Sequence, residues 1–217
     1  MFYKFRILGC GSSGGVPRVG FGWGNCDPKN KKNRRLRCSL LVERVTSSKK
    51  TTVLIDTGPD VREQLLQANV TNLDAVLYTH SHADHVHGID DLRTLAYKRK
   101  AKIPVWADKA TQERLLNGFS YIFHTPETSK YPPICELNSI SAKDLKVKGT
   151  GGEIIFRPLL VNHGDIDSLG FKIGKLAYIP DVLNIPETSW KELENLDIII
   201  IDALRRDPHP SHTHLEK

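Results

Sequence analysis

The sequence predicts a layered fold of mixed α/β class, with strands in both halves of the chain and helices between some of them. Short apolar runs of strand length recur along the 217 residues, with Gly, Pro or Asp at their borders. Several intervening segments instead repeat their apolar residues at helical spacing. The content of 39% hydrophobic and 26% charged residues is that of an ordinary globular protein. We therefore predict one domain, residues 1–217, with a substantial core.

Seven apolar runs rich in β-branched residues are predicted to form strands. In chain order they cover residues 5–8, 39–42, 52–55, 75–78, 154–156, 175–179 and 198–201. Residues 60–68, which follow Pro59, are predicted to form a helix. A second helix is predicted over residues 86–98, because four apolar side chains then share one face, those of Ile89, Leu92, Leu95 and Ala96.

Two further helices are indicated by their capping residues. Asp108 is suited to the N-cap of a helix that ends at Gly118. Asn184 resembles another N-cap, with Pro186 in the first turn and Glu187 as the capping-box partner.

Basic residues outnumber acidic ones by 31 to 25, which gives a net charge of +6, and they are densest between residues 29 and 37. A basic segment near a hydrolytic site would attract anionic substrates, and a solvated loop without a further role is an equal alternative. Nucleic acid is not the favoured partner, because aromatic residues do not interleave with the basic ones.

No membrane association is expected from the sequence. No apolar run approaches the roughly 20 residues of a membrane-spanning helix. Residues 1–6 lack the features of a secretory signal, so we expect a cytoplasmic protein. Four widely scattered cysteines without a Cys-x-x-Cys pair are expected to be free thiols, namely Cys10, Cys26, Cys38 and Cys135.

The most informative segment is His80-Ser81-His82-Ala83-Asp84-His85, which directly follows a predicted strand. On an extended chain, side chains two residues apart point the same way, so His80 and His82 can turn toward one ion. Asp84 and His85 come where the next helix is expected to begin, and they can face a second ion. Imidazole and carboxylate ligands suit zinc, manganese or iron. The alternative is a polar turn whose histidines face solvent.

The pattern His-x-His-x-Asp-His after a strand, followed by Gly88, resembles the signature of the metallo-β-lactamase superfamily of metallohydrolases. Four further segments occur in that superfamily's order: residues 8–17, 54–58, 161–164 and 178–181. The opening segment and residues 202–212 are most similar to its phosphodiesterase branch, which includes the cyclic phosphodiesterase of the carbon-phosphorus lyase pathway. The resemblance implies an αββα sandwich, two sheets face to face with helices outside, and a metal site along one sheet edge.

The resemblance also implies two divalent metal ions, zinc or manganese, that ready a water molecule for attack. The implied ligands are His80, His82 and His163 for the first ion, Asp84 and His85 for the second, and Asp181 bridging both. Asp84 thereby also counts as catalytic. Asp56 would orient a ligand, since metal-bound imidazoles usually donate their other N–H to a carboxylate. Ordinary loop or turn-cap roles are the alternatives for Asp56, His163 and Asp181.

Near the end of the chain, the family pattern best matches His212 as the catalytic histidine beside the substrate phosphate. There it can act as a general acid or stabilise charge. His214 is the second choice for substrate binding, and Arg205 is a candidate phosphate contact through its guanidinium group. A histidine-bearing tail without such a role is the alternative.

Phosphodiesterase relatives continue beyond the last residues of this sequence with a helix, a strand and a histidine that completes the second metal site. The resemblance therefore implies a domain that lacks the family's last strand and helix. Besides the bridging Asp181, the second ion would then have Asp84 and His85, unless His212 or His214 substitutes. We expect this second site to be weak or empty, and an open sheet edge to favour a homodimer.

The function predicted from these patterns is metal-dependent hydrolysis of phosphodiesters, with a small cyclic phosphate or nucleotide-like ester as the partner. Two alternatives stay open at this point. The same activated water can attack a carbonyl, as in a thioester or lactone hydrolase. The chain can also be an inactive, truncated metal-binding protein.

Overall fold

Two β-sheets lie face to face in the computed structural model of the protein, and helices cover the outer face of each sheet. The structure describes residues 1–125, 127 and 129–216. Positions 126, 128 and 217 of the predicted 1–217 domain lie outside the described residues. The layers run helix, sheet, sheet, helix, which confirms the predicted fold class. Within the described residues, no helix has the length and apolar character needed to cross a bilayer.

The first sheet contains six strands that follow one another in chain order across the sheet. They are β1 (Phe2–Gly9), β2 (Ser39–Thr46), β3 (Lys49–Ile55), β4 (Ala75–Leu77), β5 (Ile103–Ala107) and β6 (Cys135–Ser139). Strands β1 to β3 pair antiparallel, and β3 to β6 pair parallel. Because parallel strands end at the same edge of a sheet, the segments after β3 and β4 emerge side by side.

The second sheet contains five strands in the order β11-β10-β9-β8-β7. They are β7 (Leu145–Gly149), β8 (Gly152–His163), β9 (Ile166–Ile173), β10 (Leu176–Ile179) and β11 (Ile198–Ile201). Among the described strands of this sheet, only β10 and β11 pair parallel, so the residues that follow these two strands also meet at one edge. In the described part of the chain, no strand pairs with the outer edge of β11.

Within the described residues, five α-helices and three short 3₁₀ turns complete the structure. The helices are α1 (Val61–Gln67), α2 (Ala83–Val86), α3 (Arg93–Arg99), α4 (Lys109–Phe123) and α5 (Glu187–Trp190). The 3₁₀ turns cover Lys31–Asn33, Ile89–Leu92 and Lys191–Leu193.

Three apolar clusters hold the layers together. The middle cluster lies between the sheets, where Val53 and Leu77 of the first sheet share a core with Phe156 and Phe171 of the second. The rings of these two phenylalanines meet edge to face, with centroids 6.2 Å apart. A second cluster joins the outer face of the first sheet to α1, α3 and α4. A smaller third cluster covers the outer face of the second sheet. Each sheet therefore buries apolar side chains on both faces.

Each of the seven predicted strand runs overlaps an observed strand, although β8 and β9 together form a much longer hairpin than predicted. Four strands were not predicted, namely β5, β6, β7 and β9. The apolar pattern of these strands is interrupted by Pro104 in β5, by Asn138 in β6, by alternating lysines in β7 and by Gly170 in β9. Such residues hide the strand pattern when only a short window of sequence is considered. Tertiary pairing, not local propensity, decides these strands.

The single helix predicted over residues 86–98 is wrong. Helix α2 begins earlier, at Ala83, and the chain then changes course at Gly88 before the 3₁₀ turn and α3. The backbone N–H of Gly88 donates to the carbonyl of Thr57 at 2.7 Å, which takes it out of the helical hydrogen-bond pattern. The helix predicted from Asp108 begins as expected, with Asp108 accepting from the N–H of Thr111, but it continues past Gly118.

The predicted cap at Asn184 is also wrong. Pro186 itself occupies the N-cap of α5 with an extended backbone, and no side chain caps this helix. The backbone of Asn184 instead bridges to Asn162 near the end of β8, so strand pairing replaces the capping geometry.

Candidate metal centre

Histidines and carboxylates gather where strands of both sheets end. His80 follows β4, His163 is the last residue of β8, and Asp181 and Asp202 follow β10 and β11. Asp202 is held beside β10 by its N–H, which donates to the carbonyl of Ile179 at 2.9 Å. Residues far apart in sequence therefore meet at one edge of the sandwich, as expected for a site at strand ends.

The first cluster consists of His80, His82 and His163, which offer ligand atoms that all lie within 4.8 Å of one another. The ring centroids of His82 and His163 are 5.1 Å apart, and those of His80 and His163 are 5.2 Å apart. His163 donates from Nδ1 to the carbonyl of Ser211 at 2.6 Å. Its Nε2 is therefore the nitrogen free to offer a lone pair.

His80 is oriented by a comparable arrangement. The hydroxyl of Thr79 donates to Asp56 Oδ2 at 2.8 Å, so it can only accept from His80 Nδ1, which lies 3.0 Å away. This leaves His80 Nε2 with a lone pair. That atom is fully buried, and among the described residues it has no hydrogen-bond partner. A buried imidazole nitrogen without a partner is costly unless something binds it, so the site fits a metal ligand well.

The second cluster consists of His85, Asp84 and Asp181. His85 Nε2 lies 2.8 Å from Asp181 Oδ2 and 3.5 Å from Asp84 Oδ2. His80 Nε2 lies 3.3 Å from the same oxygen of Asp181. The carboxylate of Asp181 therefore stands between the two groups of histidines, which is the position that a bridging ligand needs.

Asp56 holds the ring of His85 in the second cluster from the side opposite Asp181. Its carboxylate accepts hydrogen bonds from Thr79 N, from Thr79 Oγ1 and from His85 Nδ1, each at 2.8 Å. The Asp56 side chain is fully buried, and its backbone adopts a left-handed conformation with φ of 64°. Such a conformation is uncommon for residues other than Gly and is held by surrounding contacts, often at functional sites. The strained strand end thus aims one carboxylate at the ring of His85.

Gly58 and Gly88 allow the two loops of this site to touch. A Cβ atom on Gly58 would lie 2.1 Å from the carbonyl oxygen of Asp84, and one on Gly88 would lie 2.2 Å from that of Gly58. The N–H of Thr57 also donates to the carbonyl of His85 at 2.8 Å. This close backbone contact fixes Asp84 and His85 against Asp56. It also explains why the sequence motifs have glycine at positions 58 and 88.

The protonation states suit cation binding. Burial lowers the pKa of His80 well below its ordinary value, and the neighbouring His85 lowers it further. Burial also lowers the pKa of His163, so both rings are neutral near pH 7. Burial opposes ionisation of Asp181, but the adjacent charge and hydrogen bond of His85 outweigh it and lower the pKa of the carboxyl. Neutral imidazoles and an ionised carboxylate are the forms in which these side chains bind metals.

His85 lies between two carboxylates and behaves differently. Burial alone would lower its pKa, but Asp56 and Asp181 outweigh burial and raise the pKa well above the ordinary value. The structure thus favours positive charge at this position, which either a proton or a metal ion can supply.

His212 forms a third cluster with Asp181 and Asp202. Its Nδ1 donates to Asp202 Oδ2 at 2.6 Å and lies 3.8 Å from Asp181 Oδ1. Burial lowers the pKa of His212, but the hydrogen bond and charge of Asp202 outweigh it, so the pKa is raised. The ring centroids of His212 and His163 are 4.6 Å apart, which places His212 next to the first cluster.

A cavity of about 840 Å³ opens over these clusters. Its walls include His82, Asp84, His163 and Asp181 on one side and His209, Ser211 and His212 from the end of the chain on another. Tyr178 also lines it, and the hydroxyl of this buried residue has no hydrogen-bond partner among the described residues. Burial is the main cause that raises the pKa of Tyr178, so the hydroxyl keeps its proton and can donate a hydrogen bond.

Comparisons with known proteins agree with this geometry. A family profile described as Beta-lactamase superfamily domain matches residues 51–217, which is most of the chain. The chain belongs to the metallo-β-lactamase superfamily. A solved structure of a new diphosphatase from the PhnP family superposes on this superfamily member with a TM-score of 0.86 at 36% sequence identity. The match covers 100% of this chain and 79% of that one.

Two curated proteins are also similar to this superfamily member. An octanoyltransferase of Porphyromonas gingivalis (strain ATCC BAA-308 / W83) is 35% identical over 214 residues, 97% of this chain and 41% of that protein. A ribonuclease Z of Gemmatimonas aurantiaca (strain DSM 14586 / JCM 11422 / NBRC 100505 / T-27) is 29% identical over 163 residues, 70% of this chain and 49% of that protein. The chain thus spans less than half the length of the curated relatives it matches.

The superfamily predicted from the sequence motifs is confirmed. The structure brings all six predicted ligand residues and Asp56 to one edge of the sandwich, while their binding of metal stays a prediction. His214 does not line the cavity, and its backbone bridges to Arg205. Arg205 does line the cavity, but it donates to the carbonyls of Asp207 and Pro208 in its own loop.

Two residues of the site were not predicted in any role: Asp202 and Tyr178. A signal existed for Asp202, because it follows an apolar run in the same way as Asp56 and Asp181 do. Tyr178 was visible only as part of a motif, and its unpartnered hydroxyl depends on packing that a sequence does not show.

Proposed function

We propose that this chain is a metal-dependent hydrolase of phosphate esters. The observation that supports this most strongly is the pairing of His212 with Asp202, directly beside Asp181 and the histidine cluster and inside one cavity. A proton donor next to a cation-binding cluster is what cleavage of an ester with a poor leaving group requires. The similar PhnP-family protein is described as a diphosphatase, and a more distant relative as a ribonuclease, which is consistent with phosphoryl chemistry.

The residues fit two cation sites in this proposal. His80, His82 and His163 would hold the first ion, Asp84 and His85 the second, and Asp181 would contact both. When bound, divalent ions make water nucleophilic near neutral pH and neutralise charge that builds up on the phosphoryl oxygens. The nitrogen ligands require no rearrangement of protons, because the Nδ1 atoms of His80 and His163 already donate elsewhere.

His212 would supply the proton for the leaving oxygen. Asp202 accepts from His212 Nδ1 and holds the ring, so Nε2 is the atom that delivers a proton as the phosphorus–oxygen bond breaks. His212 would therefore act on the substrate and not on the cations.

Octanoyl transfer is the competing activity, because the octanoyltransferase matches nearly the whole chain. Yet 59% of that protein lies outside the match, since the match covers 41% of it. The cavity here also has Arg18, Arg35 and Arg205 in its wall, and guanidinium groups favour an anionic substrate over an acyl chain.

A substrate panel tests the proposal. Protein loaded with manganese or zinc is assayed on bis(p-nitrophenyl) phosphate, on an octanoyl thioester and on a chromogenic β-lactam. We expect measurable hydrolysis of the phosphodiester only. Hydrolysis of the thioester or lactam without hydrolysis of the phosphodiester would exclude the proposed function.

The role of His212 is tested with two leaving groups. In His212→Gln, cleavage of a dinucleotide, which must release an alkoxide, is expected to fall by about 10²–10⁴-fold, the usual contribution of a general acid. A p-nitrophenyl ester of the same nucleotide needs little proton transfer to its leaving group, so its hydrolysis should fall much less. His124→Gln is the control, because His124 is exposed and lies at the end of α4, outside the cavity. Equal losses with both esters would contradict a general-acid role.

A further inference from the structure

Two thiols, those of Cys10 and Cys38, lie in the wall of the cavity, and neither belongs to the three clusters of the candidate metal centre. Cys10 directly follows β1 and Cys38 directly precedes β2, so the two residues lie at opposite ends of the loop that joins these strands. Cys10 is exposed, Cys38 is partly buried, and both thiols are free. The proposed function assigns no role to either of them.

The backbone places the two cysteines opposite each other. Gly9 is the register partner of Ser39 in the first sheet, and Gly11 forms an isolated bridge with Arg37. The two cysteines are the residues between these paired positions on the two neighbouring segments. Paired segments lie about 4.7–4.9 Å apart, and the Cα atoms joined by a disulfide are usually about 4.4–6.8 Å apart. The backbone pairing therefore imposes a spacing that a disulfide can bridge.

The side chain of Cys38 is directed toward the segment that contains Cys10. Its Sγ donates to the carbonyl of Gly11, the residue that follows Cys10, at 3.4 Å. Burial is the main cause that raises the pKa of Cys38, and negative charge on Asp181, Asp56 and Cys10 raises it further. The sulfur of Cys10 is thus one of the charged neighbours of Cys38, as the backbone pairing requires.

The loop between the two cysteines, residues 11–37, forms one wall of the cavity. Ser12, Val16 and Arg35 are among its residues that line the cavity. Val16 and Arg35 come from the two arms of the loop and exchange backbone hydrogen bonds of 2.9 and 3.0 Å, so the arms lie against each other. A covalent link between positions 10 and 38 would close the base of this wall.

The other two cysteines are not placed for this pairing. Cys26 is exposed within the same loop and does not line the cavity. Cys135 is buried on β6, which lies at the opposite edge of the first sheet from β1. A link that forms within the folded chain should therefore join Cys10 to Cys38, and Cys26 provides a matched control.

We propose that Cys10 and Cys38 form a dithiol site that low-molecular-weight disulfides, such as oxidised glutathione, convert reversibly to an intramolecular disulfide. The reaction involves neither the cations nor a phosphate ester, so it is independent of the proposed function. Because Cys10 is exposed, external thiols can reach the disulfide and reduce it again.

The oxidation proceeds in two exchange steps. The sulfur of Cys10 loses its proton and bonds to one sulfur of oxidised glutathione, whose disulfide bond breaks, and the released thiolate takes up a proton. The sulfur of Cys38 then loses its proton and bonds to the sulfur of Cys10, which releases the second glutathione as a thiol. Two cysteine thiols are oxidised to one disulfide, and one external disulfide is reduced to two thiols. The second step should be the slower one, because burial disfavours the thiolate of Cys38.

Peptide mapping tests the link. Reduced protein is incubated with oxidised glutathione, the remaining thiols are alkylated, and the protein is digested with trypsin without reduction. We expect the tryptic peptides 7–18 and 38–44, which contain the two cysteines, to be recovered as one disulfide-linked species. Dithiothreitol should separate them again.

Two variants make this test specific. Cys26→Ser should form the same link as the wild type, whereas Cys38→Ser should stop at a mixed disulfide of Cys10 with glutathione. A link that joins Cys26 to either residue would overturn the proposal. So would a wild type that stops at the mixed disulfide or keeps all its thiols.

A second probe requires no oxidant. Phenylarsine oxide condenses with two neighbouring thiols, so that its arsenic bonds to both sulfurs and its oxygen leaves as water. One equivalent should protect two thiols from alkylation in the wild type and in Cys26→Ser. It should protect none in Cys10→Ser or Cys38→Ser, and circular dichroism checks that both variants are folded. Equal protection in all four proteins, or no protection in any, would refute the dithiol site.

Discussion

At the scale of single residues, the site depends on protons whose positions are fixed by hydrogen bonds. Thr79 gives its one hydroxyl proton to Asp56, so His80 must donate from Nδ1 and present the other nitrogen to the site. His163 is fixed in the same way by the carbonyl of Ser211. The Nε2 atoms of both rings, which we propose as metal ligands, are thus preorganised by groups behind the rings, as is typical of metal-binding histidines.

The substitution Asp56→Asn removes the negative charge of this side chain but keeps a residue that can adopt the same backbone conformation. Asn tolerates the left-handed conformation well, but its NH2 group would face donors that now point at the carboxylate, so the thermal unfolding midpoint should fall moderately while the variant still folds. Loss of the carboxylate charge behind His85 should weaken zinc or manganese binding by about 10–100-fold. Metal titration followed by calorimetry, together with thermal unfolding, measures both quantities. Unchanged metal affinity in a folded variant would show that Asp56 serves only the strand end.

The sequence revealed most of the residue-level site because its ligands lie in short, ordered motifs. His80, His82, Asp84 and His85 are close in sequence, and their spacing is informative by itself. The partnership of Asp202 with His212 was not visible, because it depends on how the last described segment folds back. That segment is held by Thr213, whose N–H donates to the carbonyl of Val182 at 2.6 Å.

At the scale of elements, the loop after β3 and the turn around α2 work as one unit. The carbonyl of Asp84 lies against Gly58, and the carbonyl of Gly58 lies against Gly88. Both contacts are so close that no side chain fits at either glycine. The sequence predicted the strands on either side but not the break at Gly88, because the apolar periodicity continues through it. Backbone contact with another loop overrides that periodicity.

Gly88→Ala tests this unit. The added methyl group would meet the carbonyl oxygen of Gly58, so the loop must shift, and we expect the free energy of unfolding to fall by about 1–3 kcal/mol. Metal affinity should fall with it, because His85 moves with the loop. Gly118→Ala in α4 is the matched control, since nothing lies within 4 Å of its added Cβ. That control should be neutral or more stable by up to about 1 kcal/mol, because Ala is a better helix former. Urea unfolding of both variants makes the comparison, and equal stabilities would argue against the tight loop contact.

At the scale of the whole molecule, the second sheet ends in an apolar edge. Ile198, Ile199 and Ile201 of β11 are 54%, 44% and 39% exposed, and no strand of the described chain pairs with their outer edge. Unpaired edges with apolar side chains tend to pair with another chain. The sequence predicted an open sheet edge. Which chain pairs with it depends on surface shape, which a local sequence pattern does not encode.

The double variant Ile199→Lys/Ile201→Lys tests this edge. We expect the wild type to associate as its concentration rises and the variant to remain monomeric, because lysines on an edge strand oppose pairing. Sedimentation velocity at several concentrations gives the masses. Leu66→Lys, which removes a similarly exposed leucine from α1, serves as the control and should associate as the wild type does. A wild type that stays monomeric at high concentration would contradict this expectation.

The first cation site should bind more tightly than the second. In the proposed arrangement, three imidazoles would hold the first ion, whereas His85 and Asp84 would accompany the shared Asp181 at the second. More ligands of matched geometry give higher affinity for zinc or manganese.

The most direct test of the account is a titration of metal-stripped protein with zinc or manganese, in which bound metal and hydrolysis of bis(p-nitrophenyl) phosphate are measured together. The account predicts that activity is absent without metal and appears as ions bind. It also predicts that His163→Ala loses at least tenfold in affinity for the first ion and nearly all activity, while His124→Ala matches the wild type. Hydrolysis that persists after metal removal, or undiminished metal binding by His163→Ala, would contradict it.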